Sequence, residues 1–136
     1  RVVFGYPVHY KIVKGLTFAM CKEGELTEDV GKEFDKAVDY LVERGVKAIT
    51  GDCGFMQFFQ ERARNRTNKP VFISSLMQLP TITSAFSKNE MIMVVTANGK
   101  SLEGLRPQLK NESGIDTADT RFIFVGCEDV PDFGDE

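Results

Sequence analysis

The apolar residues of this chain recur at helical spacing in some stretches and at strand spacing in others. Phe34 and Val38 belong to one helical stripe, which predicts a helix over 27–44. Thr27 can cap the start of this helix, and Gly45 stands where a C-terminal glycine is common. The first clear element of the chain is therefore an amphipathic helix.

The rest of the chain continues this alternation. Strands are predicted at 46–50, 71–73, 91–96 and 122–125, and helices at 55–65, 74–86 and 102–109. The run Met91–Thr96 is apolar without a break, as in strands that are buried on both faces of a sheet. Short strands that alternate with helices predict an α/β fold with a parallel sheet and right-handed crossovers. The polar stretch 87–90 is the only plausible boundary, which divides the chain into 1–90 and 91–136.

Composition narrows the class of protein. The chain has 136 residues, 42% of them hydrophobic, and a net charge of −3, so a folded domain is expected and a nucleic-acid partner is not. No apolar run reaches the length of a membrane span, and the N-terminal residues lack the pattern of a secretory signal. The three cysteines form no CxxC pair, which favours free thiols. A cytoplasmic location without membrane association is therefore expected.

The candidate functional residues lie where the predicted strands end. In an open parallel sheet, ligands bind beyond the carboxyl ends of the strands. Cys53 lies between glycines in such a turn, where the first turn of a helix can lower the pKa of a thiol. Asp52 would oppose that effect. A catalytic and a purely structural role for Cys53 are equally compatible with these residues alone.

The remaining cysteines and the one histidine are weaker candidates for a functional site. Cys21 lies in an apolar stretch and is read as core filling. Cys127 also follows a strand and is a minor candidate. His9 has no positional support as a triad member and is read as an ordinary strand histidine. No His, Cys and Asp cluster has metal-ligand spacing, so a metal is not expected.

Small polar residues follow two other strands. Ser74 and Ser75 either bind a ligand or merely cap a helix, and Thr96 and Asn98 either bind a ligand or belong to an ordinary turn. Hydroxyl, amide and backbone N–H groups are suited to holding a carboxylate. A small carboxylate-bearing substrate is the expected ligand.

Two segments carry a resemblance to a known family. The stretch 45–55, which contains Cys53-Gly54-Phe55, and the stretch 70–80, which contains Ser74-Ser75, resemble the aspartate/glutamate racemase superfamily. The match is to its Cys-Gly-Phe branch, which is related to hydantoin racemase. Val94–Asn98 is similar to the strand that opens the second lobe of that family.

The resemblance implies a flavodoxin-like parallel-sheet lobe of a two-lobed fold, with 1–90 as the first lobe and 91–136 as the start of the second. It implies a racemase of an amino acid or a hydantoin that needs neither PLP nor another cofactor, an isomerase in which Cys53 transfers the α-proton. Gly54, Ser74, Ser75, Thr96 and Asn98 would then hold the substrate.

The family's second cysteine lies beyond this chain, so the chain is expected to be incomplete and inactive alone. A decarboxylase or cis–trans isomerase of the same superfamily, or a non-catalytic small-molecule binding protein, remains as an alternative, and a homo-oligomer is left open.

Overall fold

The computed structural model describes residues 2–3 and 5–131, with side chains from residue 5 onward. Arg1, Phe4 and residues 132–136, which belong to the two predicted domains, lie outside the described residues. The elements are, in chain order, β1 (Val2–Val3), β2 (Tyr6–Pro7), α1 (Phe18–Glu23), α2 (Glu28–Glu43), β3 (Ile49–Thr50), a 3₁₀ helix (Gly54–Phe59), α3 (Gln60–Asn65), β4 (Val71–Phe72), a second 3₁₀ helix (Ser75–Gln78), α4 (Leu79–Ala85), β5 (Ile92–Thr96), α5 (Gly99–Ser113) and β6 (Phe122–Gly126).

Capping side chains set the helix starts. The Thr27 hydroxyl accepts a hydrogen bond from the Val30 N–H at 3.3 Å, and Gly45 follows α2 with a φ of 73°, so both ends of the predicted helix are confirmed. Thr17 caps α1 in the same way, by accepting from the Met20 N–H at 3.2 Å. The sequence analysis did not predict α1, because a helix of six residues is too short to show a periodic stripe.

Two of the predicted helices begin as tighter turns. The prediction over 55–65 corresponds to the first 3₁₀ helix followed by α3, and the prediction over 74–86 to the second 3₁₀ helix followed by α4. Pro80 lies in the first turn of α4, where its missing N–H breaks no helical hydrogen bond.

The strands form three pairs. β3 and β4 are parallel, with Ile49 opposite Val71, and β5 and β6 are parallel, with Val94 opposite Phe124. The short strands β1 and β2 pair antiparallel. Helices with parallel strand pairs are compatible with a mixed α/β fold, while the flavodoxin-like, two-lobed arrangement stays a prediction.

The burial of β5 differs from the expectation. Ile92 and Val94 are buried, but Met93 and Val95 are 62% and 61% exposed, so the prediction of a strand buried on both faces was wrong. Leu79 of α4 and Leu109 of α5 pack against one face of the strand only. Apolar character along a strand does not distinguish one covered face from two.

The buried core has two clusters. The larger one joins α1, α2, the first 3₁₀ helix, α3, β3, β4 and α5, and the smaller one joins α4, α5 and β5. Leu76 and Phe124 pack against both clusters. The clusters therefore meet across the predicted boundary at 90/91.

Gln60 fixes β4 against the helical layer. This buried side chain donates to the Val71 carbonyl at 2.8 Å and accepts from the Ile73 N–H at 3.0 Å. Its amide thereby supplies the two hydrogen bonds that a neighbouring strand would otherwise provide. This holds the end of β4, and the serines after it, in place.

Within the described part of the chain, no helix combines the length and the apolar character needed to cross a lipid bilayer.

Candidate active site

The ends of β3, β4 and β5 converge on a cavity of about 440 Å³. Its lining residues are Phe18, Asp52, Cys53, Gly54, Phe55, Ser75, Leu76, Val94, Val95, Thr96, Ala97, Leu102 and Leu105. We call this space the Cys53 cavity. Its size suits a small molecule, and four of the predicted site residues, Cys53, Gly54, Ser75 and Thr96, line it.

Cys53 is placed by a close passage of the backbone. A Cβ atom on Gly51, at the end of β3, would lie 2.2 Å from the Ile73 carbonyl oxygen, so only glycine fits there. Cys53 itself is extended, with φ −125° and ψ 130°, and its carbonyl accepts from the Met56 N–H at 3.1 Å. The thiol is thus held at the start of the first 3₁₀ helix.

A second thiol determines the protonation of Cys53. The Cys21 thiol donates a hydrogen bond to the Cys53 sulfur, and with the backbone N–H groups of Phe55 and Met56 it lowers the pKa of Cys53 from 9.0 to about 6. Burial and the charge of Asp52 oppose this shift. The same hydrogen bond, together with burial, raises the pKa of Cys21 well above its ordinary range. At neutral pH Cys53 is therefore a thiolate and Cys21 a thiol.

The two predicted serines have different places. Ser74 is buried, and its hydroxyl donates to the Gly54 carbonyl at 2.7 Å while it accepts from the Leu76 N–H at 3.1 Å. Ser75 is exposed and lines the cavity, with its Oγ 3.9 Å from the position that a Cβ on Gly54 would occupy. Ser74 therefore ties the turn after β4 to the Cys53 turn, and Ser75 faces the Cys53 cavity.

Thr96 and Asn98 differ in the same way. Thr96 lines the cavity, whereas the Asn98 Oδ1 accepts from the Ser101 N–H at 2.9 Å and caps α5. Glu128 also lies at this helix end, where its carboxylate accepts from the Gly99 N–H at 3.0 Å. That hydrogen bond holds the pKa of Glu128 below its ordinary range. The N-terminus of α5 is thus occupied by side chains of the chain itself.

A second cavity, of about 490 Å³, adjoins the first. It shares Phe18, Asp52 and Cys53 with the Cys53 cavity, and Cys21 and His9 contribute to its lining. His9 is exposed, and it follows β2 instead of lying in a strand. Cys53 is therefore reached from two sides.

Cys127 takes no part in either cavity. Its backbone N–H donates to the Thr96 carbonyl at 2.9 Å, which continues the β5–β6 pairing. Among residues 5–131, no three His, Cys, Asp or Glu side chains are grouped so that they could hold a metal ion.

Sequence reasoning missed two members of this site. Phe18 and Cys21 lie on α1, about thirty residues before Cys53, and only the tertiary fold brings them to it. Cys21 is buried, as predicted, but it also bonds to Cys53, so it does more than fill the core. The available signal was Thr17, a helix-capping residue directly before the apolar segment.

Comparison with known proteins identifies relatives outside the aspartate/glutamate racemase superfamily. The chain is 53% identical over 130 residues to dimethylsulfoniopropionate lyase 3 of Emiliania huxleyi (strain CCMP1516), with 96% of this chain and 34% of the relative covered. It is 48% identical to dimethylsulfoniopropionate lyase 7 of the same organism, with 96% and 38% covered, and 40% identical to the dimethylsulfoniopropionate lyase of Durusdinium sp. clade D, with 96% and 44% covered. The chain thus spans between a third and a half of the length of these curated relatives. No family model matches the chain, and no solved structure does.

These relatives overturn the resemblance. Proteins 40–53% identical to the chain are dimethylsulfoniopropionate lyases, so the assignment to the aspartate/glutamate racemase superfamily was wrong, and so was the racemase or isomerase function it implied. The alternatives of a decarboxylase and a cis–trans isomerase do not match either. The two motifs describe a thiol and hydroxyls at strand ends, an arrangement that reactions of several classes can use, and the spacing of residues does not say which reaction follows.

Proposed function

We propose that this chain contributes the thiolate part of a dimethylsulfoniopropionate lyase active site. One observation of the structure carries the proposal: Cys53, whose pKa is lowered by its hydrogen-bond donors, lines a cavity of small-molecule size together with Ser75 and Thr96. The substrate comes from the names of the relatives. Because the chain spans only part of their length, the activity proposed is that of the full-length protein.

The proposed reaction is a β-elimination. The Cys53 thiolate removes a proton from the carbon next to the substrate carboxylate, and the electron pair of that C–H bond forms the new carbon–carbon double bond. The bond between the β-carbon and the sulfonium sulfur breaks, and its electron pair leaves with the sulfur. The products are dimethyl sulfide, acrylate and the neutral Cys53 thiol, so atoms and charge balance.

The hydroxyl groups of the cavity support the most difficult step of this reaction, the removal of the proton from carbon. A carbon next to a carboxylate is a very poor acid, so negative charge that builds up on the carboxylate oxygens must be stabilised. Ser75 and Thr96 line the same cavity as Cys53 and can donate hydrogen bonds to those oxygens. Gly54 lets the substrate approach the backbone, and Ser74 and Asn98 act as positioning residues through the bonds described above.

A direct test measures both products. The full-length protein is incubated with dimethylsulfoniopropionate, and dimethyl sulfide is measured in the headspace and acrylate by NMR. The Cys53→Ala variant should lose at least about 100-fold in kcat/KM, since it lacks the proton acceptor. Cys127→Ala is the matched control and should retain activity, because Cys127 lines neither cavity.

Two results would contradict the proposal. The first is a wild-type protein that releases neither product, or a Cys53→Ala variant as active as the wild type. The second is a Cys53 peptide that gains the mass of one methylene group, which would show that the thiolate attacks a methyl group of the sulfonium instead of removing a proton.

We further propose a reducing location such as the cytoplasm. The three cysteines are free, and the hydrogen bond between Cys21 and Cys53 requires a thiol proton that oxidation would remove. A homo-oligomer stays a prediction.

A further inference from the structure

The charges in the Cys53 cavity are all of one sign. Asp52 and Cys53 are its only ionisable side chains, and no Lys, Arg or His is among the described residues that line it. Lys22 is nearby, but its ammonium group lies over the ring of Phe18, 5.0 Å from the centroid, and it does not line the cavity. A ligand with only negative charge would meet repulsion here, whereas a cationic group would find two anions.

We propose that Asp52 is the counter-charge for a methylated onium group of the substrate, and that the Cys53 cavity selects small onium carboxylates. This inference rests on the proposed function, and it names the chemistry that this site recognises. The carboxylate of the ligand would lie toward Ser75 and Thr96, and the onium group toward Asp52.

The cavity wall fits the same ligand class. Phe18 and Phe55 both line it, with ring centroids 6.0 Å apart and planes at 65°. Aromatic rings attract alkylated cations through their π faces, and the Phe18 ring already accepts the Lys22 ammonium on its face. Leu76, which is partly exposed, adds apolar surface that methyl groups can contact.

Asp52 also destabilises the Cys53 thiolate, and a bound cation would reduce this effect. Its charge disfavours the neighbouring thiolate and raises the pKa of Cys53 against the other contributions. Once a sulfonium group is bound, it attracts both anions and weakens this opposition. A substrate cation would thus complete a site that is electrostatically unbalanced without it.

The test compares two ligands of the same shape. One is 3-(trimethylammonio)propanoate, and the other is its carbon isostere 4,4-dimethylpentanoate, which keeps the carboxylate but lacks the cationic centre. Their affinities are measured by isothermal titration calorimetry on the full-length protein, in the wild type and in Asp52→Asn. We expect the wild type to bind the cationic ligand at least about tenfold more tightly. In Asp52→Asn this preference should fall several-fold, because the cationic group loses its counter-charge and the carboxylate-only ligand loses a repulsion.

A matched control removes the same charge elsewhere. Asp29 lies in the first turn of α2 with its side chain 98% exposed, and Asp29→Asn should keep the wild-type preference. Equal affinity of the wild type for both ligands would overturn the inference. An undiminished preference in Asp52→Asn would also overturn it.

Activity separates this inference from the proposed function. If the wild type forms no dimethyl sulfide but still prefers the cationic ligand through Asp52, the proposed lyase function fails and the onium site stands. If the wild type forms dimethyl sulfide and Asp52→Asn keeps both its KM and its ligand preference, the lyase function stands and the role of Asp52 fails.

Discussion

At the scale of single residues, the reactivity of this site depends on one shared proton. Cys53 is partly buried, which disfavours its charged form, and Asp52 disfavours it further. The hydrogen bond from Cys21 is the largest single contribution, and together with two backbone N–H groups it lowers the pKa of Cys53. Cys21 is therefore the residue that decides whether Cys53 is a thiolate at neutral pH.

This pairing predicts how Cys53 responds to substitution of its neighbour. The rate of Cys53 alkylation follows the thiolate fraction, so in the wild type it should rise with pH through a midpoint of about 6. Cys21→Ala removes the donor, and the midpoint should move upward toward 9.0, the ordinary value for a thiol. The measurement is iodoacetamide labelling at a series of pH values, read by peptide mass spectrometry.

Cys21→Ser is the control for this experiment, because its hydroxyl can still donate a hydrogen bond to Cys53. Its midpoint should stay closer to that of the wild type than the midpoint of Cys21→Ala does. An unchanged midpoint in Cys21→Ala would mean that Cys21 does not set the thiolate.

At the scale of elements, the site depends on how closely β3 approaches the segment after β4. Gly51 ends β3, and a Cβ on it would lie 2.2 Å from the Ile73 carbonyl oxygen and 3.0 Å from the Met56 sulfur. The Ile73 oxygen belongs to the backbone, which cannot turn away as a side chain can, and Met56 is buried. The glycine is therefore required by packing, and the position of Cys53 two residues later depends on it.

Gly51→Ala is expected to destabilise the fold by about 3 kcal/mol, because the added methyl group must displace a backbone carbonyl. Urea unfolding followed by circular dichroism measures this change. The matched variant is Gly54→Ala, whose Cβ would lie 3.9 Å from the Ser75 Oγ in ordinary van der Waals contact. It should change the stability by less than about 0.5 kcal/mol. Equal stability of the two variants would contradict the close approach.

The sequence predicts these elements unevenly, for physical reasons. The bounds of α2 follow from local chemistry, namely the Thr27 cap and Gly45, and both are visible in the sequence. The exposed face of β5 was missed because it depends on what packs against the strand, which its apolar residues do not encode.

The candidate site shows the same division. Cys53 and Ser75 were found because strand ends are recognisable from local pattern. The contact between Cys53 and Cys21 was missed because it joins distant parts of the chain. The reaction was misassigned because a thiol near hydroxyls does not specify the leaving group.

At the scale of the whole molecule, α5 connects the two buried clusters. Leu102 and Leu105 belong to the larger cluster with Phe55, while Leu109, one turn later, belongs to the smaller cluster with β5. Phe124 packs against both clusters. Residues on the two sides of the predicted boundary at 90/91 therefore share one buried interior.

This arrangement predicts that the described part of the chain unfolds as one unit. Leu105 and Leu109 are both 0% exposed, so truncation of either to alanine should cost about 2–5 kcal/mol.

Hydrogen exchange with mass spectrometry then reports on α2, which packs in the larger cluster, and on β5, which packs in the smaller. In one cooperative unit, each variant accelerates the slowest exchange of both elements by the same factor. In two independent lobes divided at 90/91, both leucines belong to the second lobe, so both variants would accelerate exchange in β5 and leave α2 unchanged. We expect the first outcome, because the helix that carries both leucines cannot detach from one cluster without exposing part of the other.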